Sequence, residues 1–255
     1  MTRTDPTLAG WYVISLRPSG GHDPVRHAAA VRGARLLPLS TLRLVPLPAG
    51  PALQAALACP RVVFTSPAAV RFAAALQPLS AVAGRQAFAV GAGTAGALRR
   101  AGMPGAFAPP AGGDAESLLA LPGLQAPGPV GLVTAPGGRG LIADVLASRG
   151  AAVHRADVYR RDRVRPRADR LAQLAVLPAH SALLVSSGEA FDALWGALGD
   201  GQRAPLRGRP VVASSPRLAA MLAEAGFATI VSAASTVPAR MLDALAADVA
   251  AGRFR

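Results

Sequence analysis

The chain has 255 residues and a formal net charge of +13, and its lysine and arginine total of 27 consists of arginine alone. A P-loop and a pyridoxal Schiff base both need a lysine, so both of these enzyme classes are excluded. The single cysteine, Cys59, has no partner for an internal disulfide, and the four scattered histidines lack metal-ligand spacing. We therefore expect no metal site.

The same composition sets expectations about location and partners. No apolar run approaches the ~20 residues that a membrane span needs, and the start at 1–6 lacks the pattern of a signal peptide. We expect a soluble, cytoplasmic monomer with no membrane partner. The excess of arginine favours an anionic partner, either a polycarboxylate or a nucleic acid.

The first predicted module consists of a strand, a glycine-rich loop, a helix and a second strand. Its first strand lies within 11–18 and its helix within 24–32, and Gly33 follows as the expected C-terminal cap. The segment 39–46 then alternates apolar and polar residues, which is typical of an extended strand.

Two further modules follow, each a short apolar strand leading into a helix. The second begins with Arg61–Phe64 and continues through Ser66, which precedes a proline and is predicted to cap a helix. The third has its strand around Phe88–Val90, and we expect Thr94 to start its helix. The proline- and glycine-rich stretch 104–113 is predicted to be a surface loop.

All three modules then return in the same order, at an offset of about 120 residues. The first returns at 130–153, with Gly150 as its helix cap, and another alternating segment, 156–164, follows it. The second returns at 182–191 and the third at 211–218, with Ser187 and Ser215 at their helix starts. Three ordered matches at one offset indicate a duplicated chain.

Continuous apolar strands that alternate with helices predict parallel sheets covered on both faces. Open parallel sheets bind ligands beyond the carboxyl ends of their strands. Every module loop lies at such an end, so we expect six strand ends around a shared gap. Two alternating segments, at about 39–46 and 156–164, are predicted to pair as a connector.

At this point the sequence resembles the uroporphyrinogen-III synthase family. The resemblance rests on Ser15–Pro18, on the turn Phe64–Val70 and on Phe88–Ala95. The loop Gly137–Arg139 and the pair Val158–Tyr159 extend it over nearly the whole chain.

The resemblance implies a fold of two flavodoxin-like α/β domains with parallel sheets, joined by a two-stranded β connector. The first domain would be discontinuous, at 1–40 plus 164–255, with the second at 43–160. Each domain would take its first module from one copy of the repeat and its other two modules from the other copy.

The resemblance also implies an activity. The family closes hydroxymethylbilane, a linear tetrapyrrole with many carboxylates, into uroporphyrinogen III in haem biosynthesis, and so acts as a hydro-lyase. The pyrrole nitrogens supply the electrons for this reaction, so the resemblance implies no cofactor. The connector tyrosine, Tyr159, is the candidate for assisting departure of the substrate hydroxyl. Helix starts and strand-end arginines suit carboxylates. The residues expected to bind substrate are Arg17, Ser66, Thr94, Gly138, Arg139, Ser187 and Ser215.

Three alternatives remain open on the sequence alone. Gly91–Gly96 spells the dinucleotide-binding pattern G-x-G-x-x-G, although it lies in the third module rather than opening a βαβ core. The positive charge suits a nucleic-acid binder, which the scarcity of aromatic residues disfavours. A two-domain binding protein without catalysis would share the same architecture.

Overall fold

The computed structural model of the chain describes residues 7–82, 84–110, 113–137 and 140–254. Within this part the strands are β1 (Tyr12–Ser15), β2 (Arg35–Pro38), β3 (Leu42–Pro46), β4 (Arg61–Phe64), β5 (Gln86–Ala89), β6 (Val130–Thr134), β7 (Val153–Asp157), β8 (Tyr159–Arg163), β9 (Ser181–Val185), β10 (Val211–Ala213) and β11 (Ile230–Ser232). The α-helices are α1 (Asp23–Val31), α2 (Gly50–Ala58), α3 (Pro67–Leu76), α4 (Ala92–Arg100), α5 (Ala115–Leu119), α6 (Leu141–Ser148), α7 (Ala168–Ala175), α8 (Gly188–Ala197), α9 (Asp200–Arg207), α10 (Pro216–Glu224) and α11 (Pro238–Ala250).

The chain folds into two compact units. The first unit combines Met1–Arg43 with Asp162–Arg255, and the second unit is Leu44–Arg161. Strands β3 and β8 form a two-stranded sheet of their own.

The first unit is built on a parallel sheet with the spatial order β11-β10-β9-β1-β2. Numbered along this unit, the order is 2-1-3-4-5, which is the flavodoxin-like arrangement. Its switch point, where the strand order reverses, lies between β1 and β9, and there Ser15 pairs with Leu184. Ligands in such sheets bind at the carboxyl side of the switch point.

Both faces of this sheet are buried, as the apolar strands predict. Ile14 and Leu183 pack with helices α8 and α10 on one face. Their chain neighbours Val13 and Leu184 pack with α1 and α11 on the other. Because successive side chains on a strand point to opposite faces, continuous apolar strands need helices on both sides.

The second unit repeats this design. Its sheet has the order β5-β4-β6-β7 with every pairing parallel, and a bridge from Phe88 to Phe107 extends it beyond β5. The segment 104–113, predicted to be a surface loop, therefore also contributes to the sheet through the backbone of Phe107. Val62 and Phe64 bury one face of this sheet, and Val63 buries the other.

The two sheets show the same spatial order of modules although the chain visits them in a different sequence. In the first unit, β1 from the first copy pairs with β9 from the second copy, and β10 from the second copy lies on the far side of β9. In the second unit, β6 from the second copy pairs with β4 from the first copy, and β5 from the first copy lies on the far side of β4. This exchange of modules is the one that the family resemblance implies, and it makes the first unit discontinuous.

Helices α1 and α6 end in the same way, at Gly33 and Gly150. These glycines have φ of +76° and +78°, in the left-handed region. After α1 the N–H of Ala34 donates to Ala29 and that of Gly33 to Ala30, and α6 ends with the equivalent pair of hydrogen bonds. This is the Schellman motif, so the predicted glycine caps are confirmed.

Candidate functional site

Three serines cap helices at the carboxyl ends of strands. The side chain of Ser66 accepts a hydrogen bond from the backbone N–H three residues later at 3.0 Å, and Ser187 and Ser215 do the same at 3.3 Å and 3.4 Å. Each follows its strand within three residues and is half-buried. The predicted caps are thus confirmed. The first-turn N–H groups of these helices lack intrahelical acceptors and carry partial positive charge, which suits an anion.

Thr94 does not start its helix, contrary to the prediction. Gly91 is the N-cap of α4, and Thr94 is the third residue of the helix. Its side chain is only 4% exposed, and its N–H already donates to the carbonyl oxygen of Gly91. The glycine pattern caused this error, because a cap without a side-chain acceptor leaves no polar residue to mark the helix start.

Tyr159 is the first residue of β8 and is almost fully buried, at 5% exposure. Its ring stacks on Phe72 with the ring centres 5.2 Å apart and the planes 15° apart. Its hydroxyl oxygen lies 3.1 Å from Ser66 Oγ, the same oxygen that caps α3. In the second unit, the predicted tyrosine and one predicted serine are therefore joined directly.

A second hydrogen bond between hydroxyl groups involves the residue before Ser66. The hydroxyl of Thr65 donates to Thr134 Oγ1 at 2.9 Å, which links the ends of the neighbouring strands β4 and β6. Gly138 and Arg139, predicted to bind substrate, lie outside the described residues. Gly137 and Gly140, which flank them, have φ of +82° and +69°.

Arg17 follows the end of β1 in the first unit. Its guanidinium donates to the carbonyl oxygen of Thr236 at 3.0 Å, and its backbone N–H donates to Ser15 Oγ at 3.4 Å. Burial lowers the pKa of Arg17 below its usual value, yet an arginine stays charged at any physiological pH. The structure therefore holds a partly desolvated positive charge at the carboxyl end of β1, next to the switch point of the sheet.

His22 is a residue of this region that the sequence did not bring forward. It lies at the N-terminus of α1 and is 7% exposed. Its Nδ1 lies 3.1 Å from Ser15 Oγ and its Nε2 lies 2.7 Å from Ser40 Oγ. Metal-ligand spacing does not single this histidine out. Its position in the first loop after a parallel strand is the signal that could have pointed to it.

The environment of His22 is electropositive. Its pKa is lowered from 6.5 to about 4, first because burial disfavours the charged ring and then because Arg26, Arg17 and Arg170 lie nearby. Asp23 opposes the shift by raising the pKa. The imidazole is therefore neutral at pH 7, and the arginines around it provide the positive field.

Two small hollows lie away from these strand ends. One, of about 310 Å³, is lined by Arg32 at the end of α1 and by Asp243 of α11. The other, of about 180 Å³, is lined by Gln86 at the start of β5 and by the stacked pair Phe88 and Phe107. Both lie towards the amino ends of the strands, whereas parallel sheets bind ligands at the carboxyl ends. We therefore place the candidate site at the capped helices.

Across the described residues, no cluster of histidine, cysteine, aspartate or glutamate side chains is arranged to hold a metal ion. Within the same ranges, the helices are all too short or too polar to cross a membrane. The G-x-G-x-x-G pattern follows β5, which lies away from the switch point between β4 and β6, whereas a dinucleotide-binding pattern follows the first strand of a βαβ unit at the switch point. Nucleotide binding is not favoured.

The fold and these strand ends define a class of two-unit α/β proteins with parallel, flavodoxin-ordered sheets. The family model of uroporphyrinogen-III synthase HemD matches residues 23–243. This chain belongs to the uroporphyrinogen-III synthase family, as the sequence resemblance indicates.

Solved structures agree in fold. A mutant uroporphyrinogen III synthase from the extremely thermophilic bacterium Thermus thermophilus is similar with a TM-score of 0.58 and 20% identity, covering 95% of this chain and 100% of its own. The uroporphyrinogen-III synthetase of Helicobacter pylori 26695 gives a TM-score of 0.62 and 16% identity, covering 94% and 99%. At these identities the likeness establishes the fold. Among curated protein sequences, none matches significantly.

Proposed function

We propose that this chain catalyses the reaction of its family, closing hydroxymethylbilane to uroporphyrinogen III with loss of water and inversion of the terminal pyrrole ring. The observation that carries the proposal is the family match over residues 23–243. In this proposal the enzyme is a hydro-lyase that works in the cytoplasm as a monomer and without a cofactor. The two compact units act as its two domains.

In this reaction the protein takes little direct part in making and breaking covalent bonds. Loss of the terminal hydroxyl gives an azafulvene cation, which attacks the substituted carbon of the far ring. The resulting spiro intermediate breaks, and closure inverts that ring. The pyrrole nitrogens supply the electrons, so the protein contributes chiefly by holding one conformer and by assisting the leaving hydroxyl. Positioning of this kind lowers a barrier by several kcal/mol.

Carboxylate binding is assigned to backbone donors in each unit. In the first unit, the helices capped by Ser187 and Ser215 start at strand ends, and Arg17 adds charge. In the second unit, the helix capped by Ser66 serves the same role. Each cap uses one side-chain oxygen, and the remaining first-turn N–H groups face an acetate or propionate arm.

Tyr159 is assigned to the departing hydroxyl. If Ser66 donates its proton to the phenol oxygen, the phenol hydrogen is directed at another acceptor. Ser66 can do this while its oxygen accepts from the N–H of Ala69, because a hydroxyl has one donor and two acceptor positions. The phenol hydroxyl can then donate to the leaving oxygen.

The isomer formed from hydroxymethylbilane tests the function. The purified protein and a protein-free blank receive the same substrate, and the products are oxidised and separated by chromatography. We expect type III from the protein and type I, the product of spontaneous closure, from the blank. Type I alone in both samples would refute the proposal.

A charge substitution tests whether the helix starts bind carboxylates. Aspartate caps a helix as well as serine does, but it brings a negative charge to the N-terminus. We expect Ser215→Asp to keep the free energy of unfolding and to raise KM about tenfold, because it repels an anionic arm.

Two further variants make this result specific. Ser215→Ala loses the cap, at about 1 kcal/mol of stability, and we expect a smaller change in KM than for the aspartate. Gln54→Glu adds the same charge on an exposed position of α2, away from the strand ends. An aspartate variant with the wild-type KM would show that Ser215 caps a helix and nothing more.

A further inference from the structure

Ser15, His22 and Ser40 form a chain of side chains across the carboxyl ends of two neighbouring strands. Ser15 is the last residue of β1 and is 1% exposed. Ser40 follows β2 and is half-buried. The ring of His22 bridges their two hydroxyl oxygens, at 3.1 Å and 2.7 Å.

The available donors and acceptors determine which atom donates in each of these two hydrogen bonds. Ser15 Oγ accepts from the N–H of Arg17, and among the described residues the only acceptor for its own hydrogen is His22 Nδ1. A buried hydroxyl rarely leaves its hydrogen unpaired. Nδ1 is then the acceptor, and a neutral imidazole carries its hydrogen on Nε2. That hydrogen points to Ser40 Oγ.

These directions determine where the hydroxyl hydrogen of Ser40 can point. Its oxygen accepts from Nε2, so its own hydrogen is left to point elsewhere, and no acceptor for it occurs among the described residues. We propose that Ser40 is a substrate-binding residue of this family member, donating to a carboxylate, and that His22 is the positioning residue that sets the direction of that donor. This inference rests on the proposed function, since that function supplies the polycarboxylate.

The backbone around Ser40 is held firmly. The N–H of Leu39 donates to the carbonyl oxygen of Ser15 at 2.9 Å. The next residue, Thr41, is fully buried, and its hydroxyl donates to the carbonyl oxygen of Ala190 at 2.8 Å. A donor on such a segment has a fixed position, which favours recognition of one group of a ligand.

The surrounding charges match a carboxylate. Arg17 on the same loop, Arg26 on α1 and Arg170 on α7 are the cations that act on His22, and Asp23 is the anion. The balance is positive, so an anionic arm is attracted to this strand end. Because the imidazole itself stays neutral, it orients the two hydroxyl groups by hydrogen bonding, and the attraction for the anion comes from the arginines.

The histidine tautomer is the first test, and it needs no substrate. Histidine labelled with ¹⁵N is observed by NMR between pH 5.5 and 8, and the His22 signal is assigned by its loss in His22→Gln. We expect hydrogen on Nε2 and none on Nδ1 across this range. Hydrogen on Nδ1 would overturn the proposed direction.

Kinetics of ring closure form the second test. We expect Ser40→Ala to raise KM about tenfold with little change in kcat, since a hydrogen bond to a charged group is lost. His22→Phe removes the bridge and should raise KM similarly, whereas His22→Gln keeps one donor and one acceptor and should recover part of the loss. Ser19→Ala removes an exposed hydroxyl from the same loop and serves as the control.

The two tests separate the possible failures. An unchanged KM in Ser40→Ala, measured beside an active wild type, overturns the binding role of Ser40 while the function stands. A wild type that yields only the type I isomer refutes the function, and the tautomer measurement still decides the direction of the hydrogen-bond chain.

Discussion

Replacing Tyr159 by phenylalanine separates a structural hydroxyl from a functional one. The phenyl ring keeps the stack on Phe72, at 5.2 Å between ring centres, so the packing is preserved. The change removes one neutral hydrogen bond, the 3.1 Å contact with Ser66. Ser66 retains its capping bond from Ala69. We therefore expect the free energy of unfolding to fall by about 1 kcal/mol.

The effect on ring closure should be larger. If the phenol hydrogen assists the leaving hydroxyl, its loss slows closure at least tenfold, or about 1.4 kcal/mol in the barrier. Single-turnover measurement with hydroxymethylbilane reports this step directly, and urea titration reports stability. Tyr12→Phe is a matched control, since Tyr12 is the only other tyrosine and accepts from Arg35 at the surface.

The two readouts decide between the roles. Slower closure in Tyr159→Phe, with Tyr12→Phe unaffected, supports participation in the reaction. A Tyr159→Phe protein that loses about 1 kcal/mol of stability and closes the substrate at the wild-type rate would refute it. The tyrosine would then be a buried anchor between β8 and α3.

The remaining predictions concern stability. The pKa of His22 is lowered from 6.5 to about 4, so the unfolded chain binds a proton between these pH values and the folded chain does not. The wild type should therefore lose up to about 3 kcal/mol of its free energy of unfolding as the pH falls from 6.5 to about 4. The variant His22→Gln should lack this loss, which urea titrations at several pH values measure. The same pH dependence of the unfolding free energy in both proteins would contradict the prediction. A Cβ at Gly131 would lie 2.0 Å from the carbonyl oxygen of Ala56, so Gly131→Ala should cost about 3 kcal/mol or prevent folding. Gly105→Ala, where nothing lies within 4 Å, should melt like wild type, and equal melting of both variants would show that α2 moves away without cost.

Local sequence patterns made it possible to predict the modules. A serine before a proline marks a helix start because the cap oxygen reaches an N–H only three residues away, and Ser66 and Ser215 follow this rule. Gly33 and Gly150 mark helix ends because they alone take a positive φ there without strain. Where the cap is a glycine without a side chain, as at Gly91, the same reasoning placed the helix start three residues too late.

Likewise, only part of the candidate site could be predicted from the sequence. The sequence placed Ser66, Ser187 and Ser215 at strand ends, and the structure agrees. It did not show that Ser66 meets Tyr159, because those residues are 93 positions apart. It did not single out Ser40 or His22, whose contact depends on β1 and β2 pairing in register. The substrate-binding roles themselves stay predictions.

By itself, the sequence determined the repeated modules, the parallel sheets with two buried faces and the family. The modules and the sheets follow from apolar runs, from caps within one turn and from an ordered duplication, which are patterns of the chain itself. The family was indicated by the resemblance of particular motifs. Only the tertiary structure decided that β11 and Phe107 complete their sheets, that Thr94 is buried, and that a neutral histidine joins two strand ends. Short edge strands and side-chain bridges carry little local signal, because neighbours distant in sequence stabilise them.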